Sequence, residues 1–308
     1  MRISTSLSVL AGTLMLVGPT IPSVRAEDLC RQTSRDAVKA CLADARHDGA
    51  IADGKCTNAP SALEHRICDL ETHAATKEAL NECAAQADFR KASCARTGPE
   101  AYNPEIVPSN FSTTINNPYF PLKPGTTFIY EGQVAGGFEH VEFAVTHTTR
   151  VIDGVTCLEI HDSVLLNGKL EEDTLDWFAQ DTQGNVWYFG EATHEIVDGV
   201  ITTVHGTFLA GQNGAKPGII MKAHPAVGDY YRQEFDLGNA EDFAEVVNLH
   251  ASIVVPYGSF SNVLNTFETT PLETGLHENK FYAPGVGQLA TVNADTGLTV
   301  PLVAITME

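Results

Sequence analysis

Two carboxylates, Asp162 and Asp173, occupy positions that a tight Asn167-Gly168 hairpin would set directly across from each other. With a two-residue loop there, Leu158, Ile160, Asp162 and Val164 share a face with Asp173, Leu175 and Trp177. That face is apolar apart from the two acids. Opposed carboxylates on a mostly buried face repel, so a shared proton, an arginine such as Arg232 or a bound cation must relieve them, unless that end of the hairpin is simply wet. A one-residue slip in register would swap the faces. The next hairpin, with Gln180 opposite Val186, adds Trp187, Phe189 and Glu191 to the face carrying Leu175, Trp177 and Ala179. Both tryptophans of the chain then meet on one surface. Rings beside acids suit a pocket for a sugar, a phenolic or a lipid-like molecule, and equally an ordinary core with polar edges. An acid pair beside a sugar would also suit acid–base work on glycosides.

Cys157, Glu159 and His161 alternate along one strand, so thiol, carboxylate and imidazole point the same way and could converge on a metal. An inert buried thiol beside a solvated Glu and His is the plainer reading. As a nucleophile Cys157 would need another histidine, because His161 lies about 13 Å along the strand. Asp181 to Asn185 lacks the alternating acids and the distal Glu of a calcium loop and reads as a turn. No GxSxG, HExxH, P-loop or GxGxxG signature is present, so no cofactor is specified.

These residues need a sheet to position them. Turn dipeptides recur at Asp153-Gly154, Asn167-Gly168, Gly184-Asn185 and Asp198-Gly199, each flanked by β-branched and aromatic residues. Such spacing predicts consecutive hairpins in an antiparallel meander. Pro217 to His224 reads as a loop and Glu241 to Val247 as a short helix or an edge strand. Further strand runs follow at Ser252 to Pro256, Val263 to Thr269, Lys280 to Tyr282 and Gly287 to Val292.

Ahead of the strands stands a different kind of chain. Asp28 to Arg46, Ser61 to Leu70 and Glu71 to Arg96 are rich in helix formers, with Gly and Pro confined to the connection from Gly49 to Pro60. Cys30, Cys41, Cys56, Cys68, Cys83 and Cys94 are separated by 11, 15, 12, 15 and 11 residues, a series that reads alike in both directions. An antiparallel helical hairpin produces that symmetry, because residues equally far from the turn lie opposite one another. It predicts three nested disulfides, Cys30–Cys94, Cys41–Cys83 and Cys56–Cys68, and leaves Cys157 free. A zinc cluster is the rival reading, weakened by the absence of CxxC-like pairs.

Residues 1 to 26 read as a secretory signal: Arg2, an apolar run from Leu7 to Val17, and small residues at Val24-Arg25-Ala26. The run is too short for a membrane anchor, so no transmembrane segment is expected in the mature chain. The formal net charge of −20 becomes about −22 without Arg2 and Arg25. A strongly acidic chain argues against nucleic acid and anionic membrane surfaces as partners.

The strand region resembles an uncharacterised family of exported bacterial proteins. The matching stretches are Asn117-Pro-Tyr-Phe-Pro-Leu-Lys-Pro-Gly-Thr126, Glu172-Asp-Thr-Leu-Asp-Trp-Phe-Ala-Gln-Asp181, Gly184-Asn-Val-Trp-Tyr-Phe-Gly-Glu191 and Tyr231-Arg-Gln-Glu234. The closing part, Val255-Pro-Tyr-Gly-Ser-Phe260 through Lys280-Phe-Tyr-Ala-Pro-Gly-Val-Gly287, is similar to lipoprotein-like β half-barrels. That resemblance implies a curved sheet holding an apolar ligand on its concave side.

The expected protein is thus α+β and periplasmic or secreted. It has a signal peptide (1–26), a disulfide-linked helical hairpin (27–96), a linker (97–118) and an antiparallel β half-barrel (119–308). The functional expectation is a carrier whose concave face takes a small, partly apolar ligand, with Trp177, Trp187, Phe189, Glu191 and Arg232 contacting it. Asp162 and Asp173 are the candidates for a cation or for catalysis. The alternatives are an extracytoplasmic hydrolase or lyase acting through those two carboxylates, and an envelope interaction module built on the helices.

Overall fold

The computed structural model describes residues 28–308, so the expected signal segment, 1–26, lies outside the described residues. Asp28 caps α1 (Leu29–Cys56) by accepting a hydrogen bond from the Arg31 amide. At the start of α2 (Ala62–Thr97) the Ser61 hydroxyl accepts from the Glu64 amide and donates to its carboxylate. The connection is shorter than the glycines suggest. α1 runs through Gly49 and Gly54 to Cys56, and the two expected helical stretches after Ser61 form one helix. Gly49 is buried where Thr76 of α2 crosses, and a Cβ there would collide with the Thr76 side chain. Its glycine serves close helix approach rather than a turn. Cys30–Cys94, Cys41–Cys83 and Cys56–Cys68 are all bonded, with Cα separations of 5.7, 5.7 and 5.4 Å.

After a short 3-10 turn at Pro108–Asn110 the rest of the chain is mainly strand. β1 (Phe111–Ser112) precedes a small hairpin of β2 (Ile115–Asn117) and β3 (Phe120–Leu122). Next come β4 (Thr126–Val134), β5 (Gly137–Ile152), β6 (Val155–Leu166), β7 (Lys169–Asp181) and β8 (Val186–Val197), with the short β9 (Val200–Thr203) and β10 (Phe208–Leu209) against β8. β11 (Lys216–Met221), β12 (Tyr230–Arg232) and β13 (Glu234–Phe235) follow. β14 (Phe243–Val255), β15 (Gly258–Thr269), β16 (His277–Ala283), β17 (Gly287–Asn293) and β18 (Thr299–Met307) complete the chain. Two expectations change here: the loop at Pro217 to His224 is mostly β11, and Glu241 to Val247 enters β14, a strand paired on both sides.

The Asp153-Gly154, Asn167-Gly168 and Asp198-Gly199 turns have positive φ at both residues, the conformation that fits a tight hairpin between twisted strands. Pairing is antiparallel throughout, in the order β12-β14-β15-β16-β17-β18-β4-β5-β6-β7-β8-β11-β13. The first and last strands of that path, β12 and β13, are separated in the chain only by Gln233. The sheet therefore curls round until its two edges meet at one residue, giving a nearly closed barrel.

The β2–β3 hairpin crosses this barrel. Asn116 and Asn117 amides donate to Gln180 of β7, and the Asn117 side chain donates to the carbonyls of Gly184 and Lys222. On the far side, the Gly285 amide donates to the Pro118 carbonyl. Phe120 packs edge-on against Phe143 and Phe178 inside. One end of the lumen is plugged by the Asn117-Pro-Tyr-Phe-Pro-Leu segment.

α2 is docked on the sheet. Arg90 donates two hydrogen bonds to Glu241 (2.6 and 3.3 Å), and both side chains are buried, 5% and 1% exposed. Phe89 packs on Phe243, Ser93 bonds the Tyr230 hydroxyl, and Arg96 reaches Glu245 at 2.6 Å. Among the described residues no helix is long and apolar enough to cross a membrane.

Candidate functional site

The barrel lumen encloses about 740 Å³. Near the plug its wall is aromatic: Phe120, Phe128, Phe143, Phe178 and Tyr188, with the Phe178 and Tyr188 rings stacked at 4.7 Å. Elsewhere it is acidic to an unusual degree. Glu139, Asp162, Glu172, Asp176, Glu191, Glu234, Asp242, Glu268 and Glu278 all line it, against one lysine, Lys280.

Two β-bulges aim part of this cluster inward. The β6–β7 pairing begins as expected, Leu166 with Lys169 and Leu165 with Leu170, and then shifts so that Val164 faces Glu172 and Asp162 faces Thr174. Glu171 is the extra residue. It moves every later residue of β7 by one position, so Glu172, Thr174, Asp176 and Phe178 join Asp162 in the lumen. The second bulge lies between β7 and β8, where Trp177 pairs with Gly190 but Phe178 pairs with Tyr188. Phe189 is extra there, so Tyr188 and Glu191, three apart, both face inward and Asp176 lies directly opposite Glu191. Gly190 makes this possible: its φ of 152° is open to glycine, and a Cβ would strike the Phe208 carbonyl.

This corrects the expected Asp162–Asp173 pair. Asp162 is in the lumen, whereas Asp173 points outward and bonds His161 at 2.6 Å, with both side chains partly exposed to solvent. The opposed-carboxylate pattern exists, but its members are Asp176 and Glu191. Neither a cation nor a catalytic water can bridge Asp162 and Asp173 across the sheet.

The tryptophans are likewise outside the lumen. Trp177 and Phe189 are buried on the convex face with Ile152, Val155, Cys157 and Ala179, and Trp187 and Phe111 cover them. Trp177 donates to Glu159 at 3.1 Å and lies under the Arg150 guanidinium; Trp187 donates to Asp181 at 2.9 Å. They do meet on one face, as expected, but that face is a satellite core. Cys157 is fully buried there, and burial pushes its thiol up to about 12, which leaves it protonated and unreactive. Glu159 and His161 are engaged elsewhere, and among the described residues no three His, Cys, Asp or Glu side chains converge to hold a metal ion.

Arg232 also lies apart from the lumen. Its guanidinium is packed among Tyr102, Phe235 and Phe243, 4.0 Å from Glu241, in a small crevice under the helices. Of the expected contact residues only Glu191 and Asp162 face the lumen. Asp176, Tyr188, Glu234, Asp242, Glu268 and Lys280 were missed by sequence reasoning. The alternations Glu172-x-Thr174-x-Asp176 and Glu278-x-Lys280-x-Tyr282 carry the signal, once a bulge is allowed for.

The electrostatics follow from crowding acids in a confined space. Burial, with the neighbouring Glu172, pushes Asp162 up to about 7. Burial, with Asp176, pushes Glu191 up to about 8. Asp242 rises to about 6, and Asp176 and Glu234 lie well above the ordinary range, all chiefly from burial. The Tyr188 hydroxyl donates to Asp176 and lies 2.9 Å from Glu191. One hydroxyl proton cannot serve two carboxylates, so the trio is satisfied when one carboxyl carries a proton. Lys280 bonds Glu268 at 2.9 Å and approaches Glu278 at 3.7 Å; burial opposes its charge, but these carboxylates outweigh it and raise its pKa well above the usual lysine range.

Fold and lumen define this chain as an antiparallel β-barrel with an acidic, plugged interior and a disulfide-stapled helical pair on its side. No protein family and no curated protein matches the sequence. Among solved structures it is similar to a provisionally named lipoprotein from Parabacteroides distasonis, at 12% identity and a TM-score of 0.33, over 61% of this chain and 97% of that one. A likeness at that score carries no argument about function.

Proposed function

We propose that the protein is an extracytoplasmic binding or carrier protein that takes a small, partly apolar ligand in the barrel lumen. The observation that carries this reading is the lumen itself: a plugged cavity of about 740 Å³ with stacked rings at one end and convergent polar groups beside them. Three disulfides suit an oxidising compartment. In this reading the helical pair is a brace for the β domain; of the expected linker, 97–118, the stretch from Phe111 onward joins the barrel and only the part before it is a strap.

The test is native mass spectrometry of protein purified from its own host's exported fraction, followed by extraction under denaturing conditions. An organic adduct that leaves on unfolding is expected. A bare mass, together with a flat thermal-shift response to broad panels of lipids, phenolics, sugars and amines, would overturn the reading.

A second reading, acid–base chemistry on the bound molecule, is favoured by one observation. Asp162 and Glu191 are carboxyls held near neutrality, the range in which a general acid or base works best. Under it, Glu191→Gln abolishes turnover while ligand uptake persists; under the carrier reading there is no turnover to lose.

A further inference from the structure

We infer that the lumen's ligand is an organic cation: a protonated amine on an apolar body that also carries an oxygen acceptor. This rests on the carrier reading above and specifies its ligand class.

Charge is the first argument. Nine carboxyl groups share the lumen with one lysine, and that lysine is already held by Glu268 and Glu278. Lys280 offsets the burial of Asp162 only in part, and among the described residues no cation is paired with Asp162, Asp176 or Glu191. Shape is the second. No three of these side chains converge on a point as a metal ion requires, and they are instead spread around a molecule-sized volume. Rings beside carboxylates complete the environment: Tyr188 stacks on Phe178, Phe120 packs edge-on to Phe178, and Asp176 bonds the Tyr188 hydroxyl. Aromatic faces backed by carboxylates attract ammonium groups while excluding anions.

An independent observation concerns two polar groups that lack partners. Gln233, the residue at the seam between the two edges of the sheet, is 3% exposed and lines the lumen, and its Nε2 has no hydrogen-bond partner. Asp162 Oδ1, on β6 and also lining the lumen, is an acceptor in the same condition. Buried polar groups are rarely left unmatched. A ligand with a charged N–H for Asp162 and a hydroxyl or carbonyl oxygen for Gln233 matches both.

Ligand-free, the cluster offsets its own repulsion by holding protons. An arriving cation takes their place, so binding releases protons and tightens as pH rises from 5 to 8. The experiment is titration calorimetry of the mature protein with a charged and neutral pair, tyramine against 4-(2-hydroxyethyl)phenol. Running it at pH 8 in buffers of different ionisation enthalpy counts the protons. The amine is expected to bind at least about tenfold more tightly than its neutral partner, to release protons, and to weaken about tenfold in both Asp162→Asn and Gln233→Leu. Circular dichroism of each variant guards against misfolding, with Asp176→Asn as the alternative if Asp162→Asn does not fold. Equal binding of charged and neutral partners, or satisfaction of Gln233 and Asp162 by water alone with no effect of either substitution, would overturn the cation inference and leave the carrier reading standing. A neutral or anionic adduct from the host would do the same. No binding by any probe and an empty host protein would sink both.

Discussion

Asp176 and Glu191 face each other as direct cross-strand neighbours inside the barrel. Like charges directly opposite on a sheet are destabilising, and here the Tyr188 hydroxyl between them has a single proton to give. Glu191→Gln removes one charge and keeps the hydrogen-bonding shape. It should stabilise the ligand-free protein at pH 8 by on the order of 2 kcal/mol and change little at pH 5, where the carboxyl is already neutral. Urea melts at the two pH values check this. An equal effect at both would show that charge is not the cause.

The same groups set how stability depends on pH. Asp162 and Glu191 rise from ordinary values of 3.8 and 4.5 to about 7 and about 8 in the folded protein. Between about pH 4 and about pH 8 the folded chain therefore holds more protons than the unfolded one, and stability falls as pH rises through that window. The ligand-free protein should have a higher urea midpoint at pH 5 than at pH 8. Equal midpoints would mean that the lumen acids titrate as ordinary exposed carboxylates.

Docking of the helices hangs on Glu241. Arg90 bonds it directly and Arg232 lies 4.0 Å away, so Glu241→Gln strands two buried guanidiniums, whereas Arg90→Gln leaves Glu241 with Arg232 as a partner. Breaking a buried ion pair costs about 3–5 kcal/mol, and Glu241→Gln should be the worse of the two. Hydrogen exchange along α2 would report the loosening directly. Similar exchange in both variants and in the parent would mean that the aromatic contact of Phe89 with Phe243 holds the helices without help.

Gly190→Ala tests the bulge that turns Glu191 inward. A φ of 152° is unfavourable for alanine, and the added methyl has the Phe208 carbonyl in its way, so a loss of about 1–3 kcal/mol or more is expected. The variant should also lose the stabilisation that Glu191→Gln confers at pH 8. Retention of that effect in the double variant would mean that Glu191 reaches the lumen without the bulge.

Cys157 should resist alkylation in the folded protein and react once it is unfolded, because it is fully buried and its thiol stays protonated. Iodoacetamide mass labelling with and without urea reads this out. Rapid labelling of the native protein would place the thiol at a surface that the structure does not give it.

Much of the architecture was legible because each signal had a direct physical cause. Asn167-Gly168 and its counterparts mark turns since they tolerate positive φ, and six cysteines spaced alike from both ends can be satisfied by one antiparallel pairing of helices. The site was less legible because it depends on register. An Asn-Gly turn announces itself, but the extra residue at Glu171 does not, and one residue was enough to send Asp173 to the solvent and bring Asp176 inside. Glu191 behaves alike: with no bulge it would share the outward face of Trp177 and Phe189, and only the neighbouring Gly190 hints at the irregularity. Arg232 was misplaced for a longer-range reason. Its partner Glu241 is recruited by a helix more than a hundred residues upstream, and no local pattern announces that.

The nested disulfides bear on how the chain comes together. Their sequence separations are 12, 42 and 64, and Cys157 follows all six bonded cysteines in the chain. Closing the shortest loop first, Cys56–Cys68, brings Cys41 and Cys83 nearer, and that bond in turn does the same for Cys30 and Cys94. Each rung leaves less entropy for the next to remove, so the helices can zip from the tip inward. In a chain that emerges from its N-terminus, every partner of this ladder is present before the seventh thiol arrives to compete.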